Sequence, residues 1–112
     1  MPGPQYLLCG SRLTSDTLVL RLLLEGLNTW ARQWSETITI QDDGSLEGLE
    51  HEVEMFRHLQ HRRVKGWSHP NVVLAFMDRL QQSRATHGTL EVAKSHGVPA
   101  FIISDPVGNI ST

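Results

Sequence analysis

The chain has 112 residues, of which 39% are hydrophobic and 20% charged, and its formal net charge is −2. This composition predicts one folded domain rather than a disordered chain, and it argues against a general affinity for nucleic acid or anionic lipid. No apolar run approaches the roughly 18 residues of a membrane span, and the one near the amino terminus is too short for a signal peptide core. Cys9 is the only cysteine, so an intrachain disulfide is excluded. We therefore expect a cytoplasmic domain without membrane association.

The first half of the chain predicts two strands and two helices. A short apolar run at residues 6–9 and an alternating, β-branched segment at residues 37–40 are typical of strands. Between them, apolar residues recur at helical spacing from Leu18 to Trp34, which indicates a helix packed broadly on a sheet. After a turn, steps of three and four residues from Leu46 to Leu59 predict a second, amphipathic helix.

The second half continues the alternation of strand and helix. Residues 64–67 could form a short edge strand, and residues 71–76 are a continuous apolar run, typical of a strand buried on both faces. A third helix carries Thr89 on its apolar face and ends at Gly97. A last strand follows, with Pro99 near its start, which suits the edge of a sheet.

This alternation predicts the α/β class, as a Rossmann-like open sheet, mainly parallel, of about four to five strands flanked by helices. We expect one domain over residues 1–104 and a tail over 105–112. In such sheets ligands bind outside the carboxyl ends of the strands, where helix N-termini favour phosphate. The simpler alternative is that the loops at this rim only turn the chain.

The candidate ligand contacts at the rim combine glycines for close approach, hydroxyls, guanidinium groups for phosphate and carboxylates for ribose hydroxyls. They are Gly10, Ser11, Arg12, Asp42, Asp43, Gly44, Ser45, Arg84, Thr86 and Thr89. Structural alternatives stay open for several of them. Arg12 could be a solvated side chain after a turn, Asp43 a helix N-cap, and Thr86 or Ser83 the cap of the third helix.

Three segments resemble the SLOG superfamily, whose Rossmann-like domains include the LOG phosphoribohydrolases, the DNA-processing protein DprA and TIR-associated immune sensors. Residues 8–12 (LCGSR) are similar to the family opening after the first strand. Residues 44–49 (GSLEGL) are similar to its glycine-rich turn after the second strand. Residues 83–99 are similar to its last loop, helix and strand. Either Thr86, or Gly88 with Thr89, matches the threonine that begins this helix in the family.

The resemblance implies binding of a phosphorylated, nucleotide-derived molecule, either an ADP-ribose-like signal or a nucleoside phosphate. A chain of this size would act as a sensor subunit or a sequestering sponge, in phage defence or, if phage-encoded, in anti-defence. The alternative is a LOG-like enzyme that cleaves the N-glycosidic bond of a nucleotide. Arg84 and Glu91 are its candidate catalytic residues, and the position of Glu91 in the helix body favours a solvated role instead.

Other side-chain patterns suggest weaker hypotheses. Glu54, His58 and His61 have a spacing that could bind zinc on one helix face, but a solvated face is favoured and no metal is expected. The aspartates at 42 and 43 could hold Mg²⁺ through water, although no cofactor is expected. A basic cluster over residues 57–65 is accompanied by glutamates, so nucleic acid is an unfavoured partner.

A third hypothesis is an interaction domain without a small ligand. The apolar face of the first helix is broad and includes Trp30 and Trp34. A homodimer would bury whatever part of this face the sheet leaves uncovered. This homo-oligomer is compatible with either ligand-binding hypothesis.

Overall fold

A computed structural model describes residues 3–10, 17–77 and 84–104. It contains five strands and three helices in these ranges. They follow in the order β1 (Gln5–Gly10), α1 (Thr17–Gln33), β2 (Ile38–Asp42), α2 (Leu49–Glu54), β3 (Leu59–Arg63), β4 (Val72–Met77), α3 (Arg84–Ser95) and β5 (Ala100–Ser104). No helix among the described residues is long and apolar enough to cross a membrane.

The five strands form one sheet in the order β3-β2-β1-β4-β5, and every neighbouring pair is parallel. The predicted Rossmann-like α/β class is therefore confirmed. The chain runs outward from β1 to β3 on one side and then crosses to β4 on the other side of β1. The order thus reverses between β1 and β4, which is where open α/β sheets place their ligands.

The two faces of the sheet have separate hydrophobic cores because side chains alternate along each strand. On one face, Leu8 and Ile40 pack with Leu24 of α1 and Val53 of α2. On the other face, Leu7, Cys9, Val73 and Ala75 pack with Ala93 of α3.

Two of the predicted element boundaries are wrong. Helix α2 covers only six residues and ends at Glu54, whereas the sequence pattern predicts helix as far as Leu59. Leu59 instead begins β3, so the predicted edge strand at residues 64–67 lies a few residues too late. Pro99 directly precedes β5, and the prediction that this last strand lies at an edge of the sheet is confirmed.

Candidate functional site

The carboxyl end of β1 lies unusually close to β4. A Cβ atom built on Gly10 would lie 2.0 Å from the carbonyl oxygen of Phe76, so only glycine fits here. The Gly10 N–H donates a hydrogen bond to the Ser45 Oγ at 3.0 Å. The predicted close backbone approach at Gly10 is thus made to the neighbouring strand, and the loop after β2 is tied to the end of β1.

Asp43 and Ser45 hold the loop after β2 in shape. The Asp43 carboxylate accepts hydrogen bonds from both the backbone N–H and the hydroxyl of Ser45. Both bonds use Oδ1, so within the described residues Oδ2 of this exposed side chain keeps acceptor positions for a ligand. The N-cap alternative for Asp43 is wrong, because α2 begins later and its N-cap is Gly48, which makes no side-chain hydrogen bond.

Asp42 is buried and bound within the chain, unlike its neighbour. One carboxylate oxygen accepts a hydrogen bond from the Gly44 N–H at 2.8 Å. The other lies 2.8 Å from Nε2 of His61 and 3.5 Å from Nη1 of Arg63. Since only 3% of the Asp42 side chain is exposed, this carboxylate joins β2 to β3 and shapes the following turn.

The described residues line two pockets near these loops. The first, which we call the α2 pocket, measures about 500 Å³. Its lining consists of Asp42, residues 44–51 and Arg63. The lining includes two glutamates, Glu47 and Glu50, and α2 is a single short helix of six residues. These negative charges make the α2 pocket a poor place for a phosphate.

The second, which we call the α3 pocket, measures about 310 Å³ and lies on the face of the sheet that α3 covers. Residues of β1, of the loop after β2, of the segment before β4 and of one side of α3 line it. Its lining residues are Leu7, Asp43, Gly66, Trp67, Gly88, Thr89 and Val92. This pocket is small but within the range of about 300–1,000 Å³ typical of ligand sites, and it combines apolar walls with few polar groups.

Of the α3 pocket's lining, the candidate contacts chosen from the sequence include only Asp43 and Thr89, and the aromatic residue Trp67 was missed. Its ring stacks on His96 with a centroid distance of 5.2 Å, and the ring of His69 meets it edge-on at 6.1 Å. Among the described residues, Trp67 Nε1 is the one buried side-chain polar atom without a hydrogen-bond partner. Buried indole N–H groups usually find a partner, so this donor carries a desolvation cost where Trp67 packs.

The sequence-predicted residues of α3 are divided between core and surface. Thr86 lies in the first turn and is 2% exposed, Thr89 lines the α3 pocket, and Glu91 is exposed and lines neither pocket. Arg84 begins the helix, but its side chain lies outside the described part of the structure. Ser11 and Arg12 also lie outside the described residues, so their predicted meeting with Thr86 stays a prediction.

The structure supports neither a zinc site at Glu54, His58 and His61 nor a nucleophilic role for Cys9. Glu54 ends α2 and His61 lies in β3, so these residues do not share a helix face with His58 as their spacing suggests. Within residues 3–10, 17–77 and 84–104, no group of three or more His, Cys, Asp or Glu side chains could hold a metal ion. The Cys9 thiol is fully buried, and this burial, assisted by the charge of Asp43, raises its pKa to about 12. It is therefore protonated at neutral pH and no nucleophile.

Comparison with known proteins does not assign the chain to a family. The chain matches no family model, and neither the curated proteins nor the solved structures contain a significant match. The likeness to the SLOG superfamily therefore rests on the three sequence motifs alone.

Proposed function

We propose that this protein binds a phosphorylated, nucleotide-derived small molecule in the α3 pocket. The observation that carries the proposal is the convergence of Asp43, Trp67 and Thr89 from three separate parts of the chain on one partly apolar pocket. This pocket lies beside the strand-order reversal of a parallel sheet, where ligands of such folds bind. A nucleotide has the matching chemistry, because it carries a planar base, ribose hydroxyls and a phosphate.

Each part of a nucleotide has a counterpart at the pocket. The indole of Trp67 and the side chains of Leu7 and Val92 suit the base, since aromatic and aliphatic surfaces favour planar rings. The Asp43 carboxylate suits the ribose hydroxyls through its Oδ2. The phosphate belongs near the N-terminus of α3, a helix of 12 residues whose dipole is positive at that end.

The SLOG-like motifs suggest which nucleotides to test. They favour an ADP-ribose-like signal or a nucleoside monophosphate, held by a protein that senses or sequesters it. The pocket volume is at the lower end of the usual range, which suits a nucleoside-sized group more than a whole dinucleotide. Glu91, the candidate acid of a phosphoribohydrolase, lies outside the pocket lining, so binding is favoured over N-glycosidic cleavage.

Thermal unfolding with AMP, ADP-ribose and cyclic ADP-ribose isomers tests this proposal. A ligand at a hundred times its dissociation constant stabilises the native state by about 2.7 kcal/mol, because it binds only the folded form. For a chain of this size that corresponds to a rise in Tm on the order of 10 °C. Thr89→Val should reduce the rise, and Thr29→Val, the same change in α1 on the opposite face, should leave it intact.

Two results would contradict the proposal. The first is the absence of a Tm shift with every nucleotide at millimolar concentration. The second is an equal loss of the shift in Thr29→Val and Thr89→Val, because that would show a general effect of the substitution rather than a contact in the pocket. Incubation with AMP, followed by detection of free adenine, separates binding from hydrolysis.

A further inference from the structure

The two edges of the sheet differ sharply in chemistry. The β3 edge carries Gln60, His61, Arg62 and Arg63, and the charged residues discourage pairing with another chain. The β5 edge reads Ala-Phe-Ile-Ile-Ser from residue 100 to residue 104 and carries no charge. Its large side chains are exposed on both faces of the sheet, with Phe101 57% and Ile102 60% accessible. An uncharged apolar edge of this kind is a template for strand addition.

The register of β5 fixes which of its backbone groups face outward. Val73 N–H donates to the carbonyl oxygen of Pro99, and Val73 is paired with Ala100. Since N–H and C=O of one residue point to the same side of a strand and alternate along it, Phe101 and Ile103 face β4. Ala100, Ile102 and Ser104 therefore direct their backbone donors and acceptors away from β4, to an edge that no other described strand pairs with.

We propose that β5 pairs with β5 of a second copy of this chain, antiparallel and with the two-fold axis at Ile102. A two-fold axis perpendicular to the sheet makes a strand antiparallel to its own copy. In this register Ile102 pairs with Ile102 of the copy, and Ala100 pairs with Ser104 of the copy. All three outward-facing residues then exchange hydrogen bonds, and two sheets become one continuous sheet.

The side chains agree with this register. The two Ile102 side chains meet on the face that α3 covers, since residues opposite each other across strands lie on the same face. On the other face, Phe101 contacts Ile103 of the copy. The pairing covers the exposed Phe101 and Ile102 side chains, and it brings no charges together because β5 has no charged residue. The β3 edge, with two adjacent arginines, would place like charges together in the corresponding arrangement.

Molar mass in solution tests the proposal. At about 100 µM, a concentration that populates a dimer with a micromolar dissociation constant, light scattering should give twice the 12.6 kDa chain mass. Ile102→Lys should halve that mass, because two ammonium groups would meet at the axis. The substitution changes an exposed side chain, so the fold should persist. Gln60→Lys, on the opposite edge, should leave the dimer unchanged.

Cross-linking gives a second measurement that does not depend on the stability of the lysine variant. Directly opposite residues of a hydrogen-bonded antiparallel pair have Cα atoms about 5.5 Å apart, which suits a disulfide. Ile102→Cys should therefore form a disulfide-linked dimer under mild oxidation, whereas Gln60→Cys and the wild-type chain, whose Cys9 is buried, should not. A monomeric wild type, a dimer that survives Ile102→Lys, or equal cross-linking at position 60 would overturn the proposal.

Discussion

Neighbouring acidic residues at the end of β2 have different roles because of their position on the strand. Ile38, Ile40 and Asp42 lie on one face of β2, so the Asp42 side chain is buried below α2 and bonded to His61. Asp43 lies beyond the strand, exposed, and lines the α3 pocket. The two-residue period of Ile38 and Ile40 could have assigned Asp42 to the buried face. The sequence alone does not reveal that His61 faces it, because that contact depends on β3.

Cys9 provides a prediction from its pKa. In the unfolded chain the thiol ionises around pH 9.0, whereas burial in the folded protein raises its pKa to about 12. Below pH 9 both states are protonated and the stability is fully present. As the pH rises from 9 toward 12 only the unfolded state ionises, so stability falls, by about 1.4 kcal/mol between pH 8 and pH 10.

Urea unfolding of the wild type and of Cys9→Ala at both pH values checks this. The alanine variant is less stable at each pH because it leaves a small cavity. It should nevertheless lose about 1.4 kcal/mol less than the wild type between pH 8 and pH 10, since it has no thiol to ionise. Parallel pH dependence of the two proteins would contradict the assignment.

At the scale of elements, β3 shows where sequence patterns mislead. Only Leu59 of this strand is buried, and the other four residues are polar or charged, so β3 lacks the alternation of a typical strand. Leu59 also continues the three-residue steps of Val53 and Phe56, which extends the apparent helix. The strand forms because β2 offers it a hydrogen-bonding edge, and that tertiary cause is invisible in a local pattern.

The remaining strands were predictable for the opposite reason. The apolar runs of β1, β4 and β5 are short, and they are bounded by glycine or proline or by polar segments, which suits strands better than helices. In the candidate site, Asp43 and Thr89 follow from their positions after a strand and on the apolar face of a helix. Trp67 does not, because it lies in a weakly patterned crossover whose path is set by packing against His96 and α3.

A side-chain hydrogen bond joins α1 to the residue before β3, and its contribution to stability can be tested. Asn28 Oδ1 accepts a hydrogen bond from the His58 N–H at 2.8 Å, just before β3 begins. Asn28→Ala should lower the free energy of unfolding by roughly 1 kcal/mol, after allowance for the helix propensity that alanine gains. The reason is that the half-buried N–H loses its partner.

Arg21→Ala is the matched control on the same helix. Arg21 bonds Glu52 at 2.9 Å, but its side chain is 52% exposed and water can replace the pair. Denaturant unfolding should show a smaller loss than for Asn28→Ala. An equal or larger loss in Arg21→Ala would contradict the importance given to the Asn28 contact.

At the scale of the whole molecule, the faces and edges of the sheet differ in shape and in charge. The α3 pocket lies on one face beside the strand-order reversal, the charged strand β3 lies at one edge of the sheet, and the apolar strand β5 lies at the other edge. The pocket and the β5 edge do not share a residue, so the proposed ligand binding and the proposed self-association are independent of each other. Either can therefore fail without the other.

Nuclear magnetic resonance of ¹⁵N-labelled protein, titrated with AMP and with ADP-ribose, tests most directly whether a nucleotide occupies the α3 pocket. The chain has three tryptophans, so three indole N–H signals report on three places. We expect the Trp67 indole and the amides of Asp43, Gly88 and Thr89 to shift with saturation, while the indoles of Trp30 and Trp34 stay fixed. Unchanged spectra with both nucleotides, or shifts confined to the α2 pocket, would contradict the account.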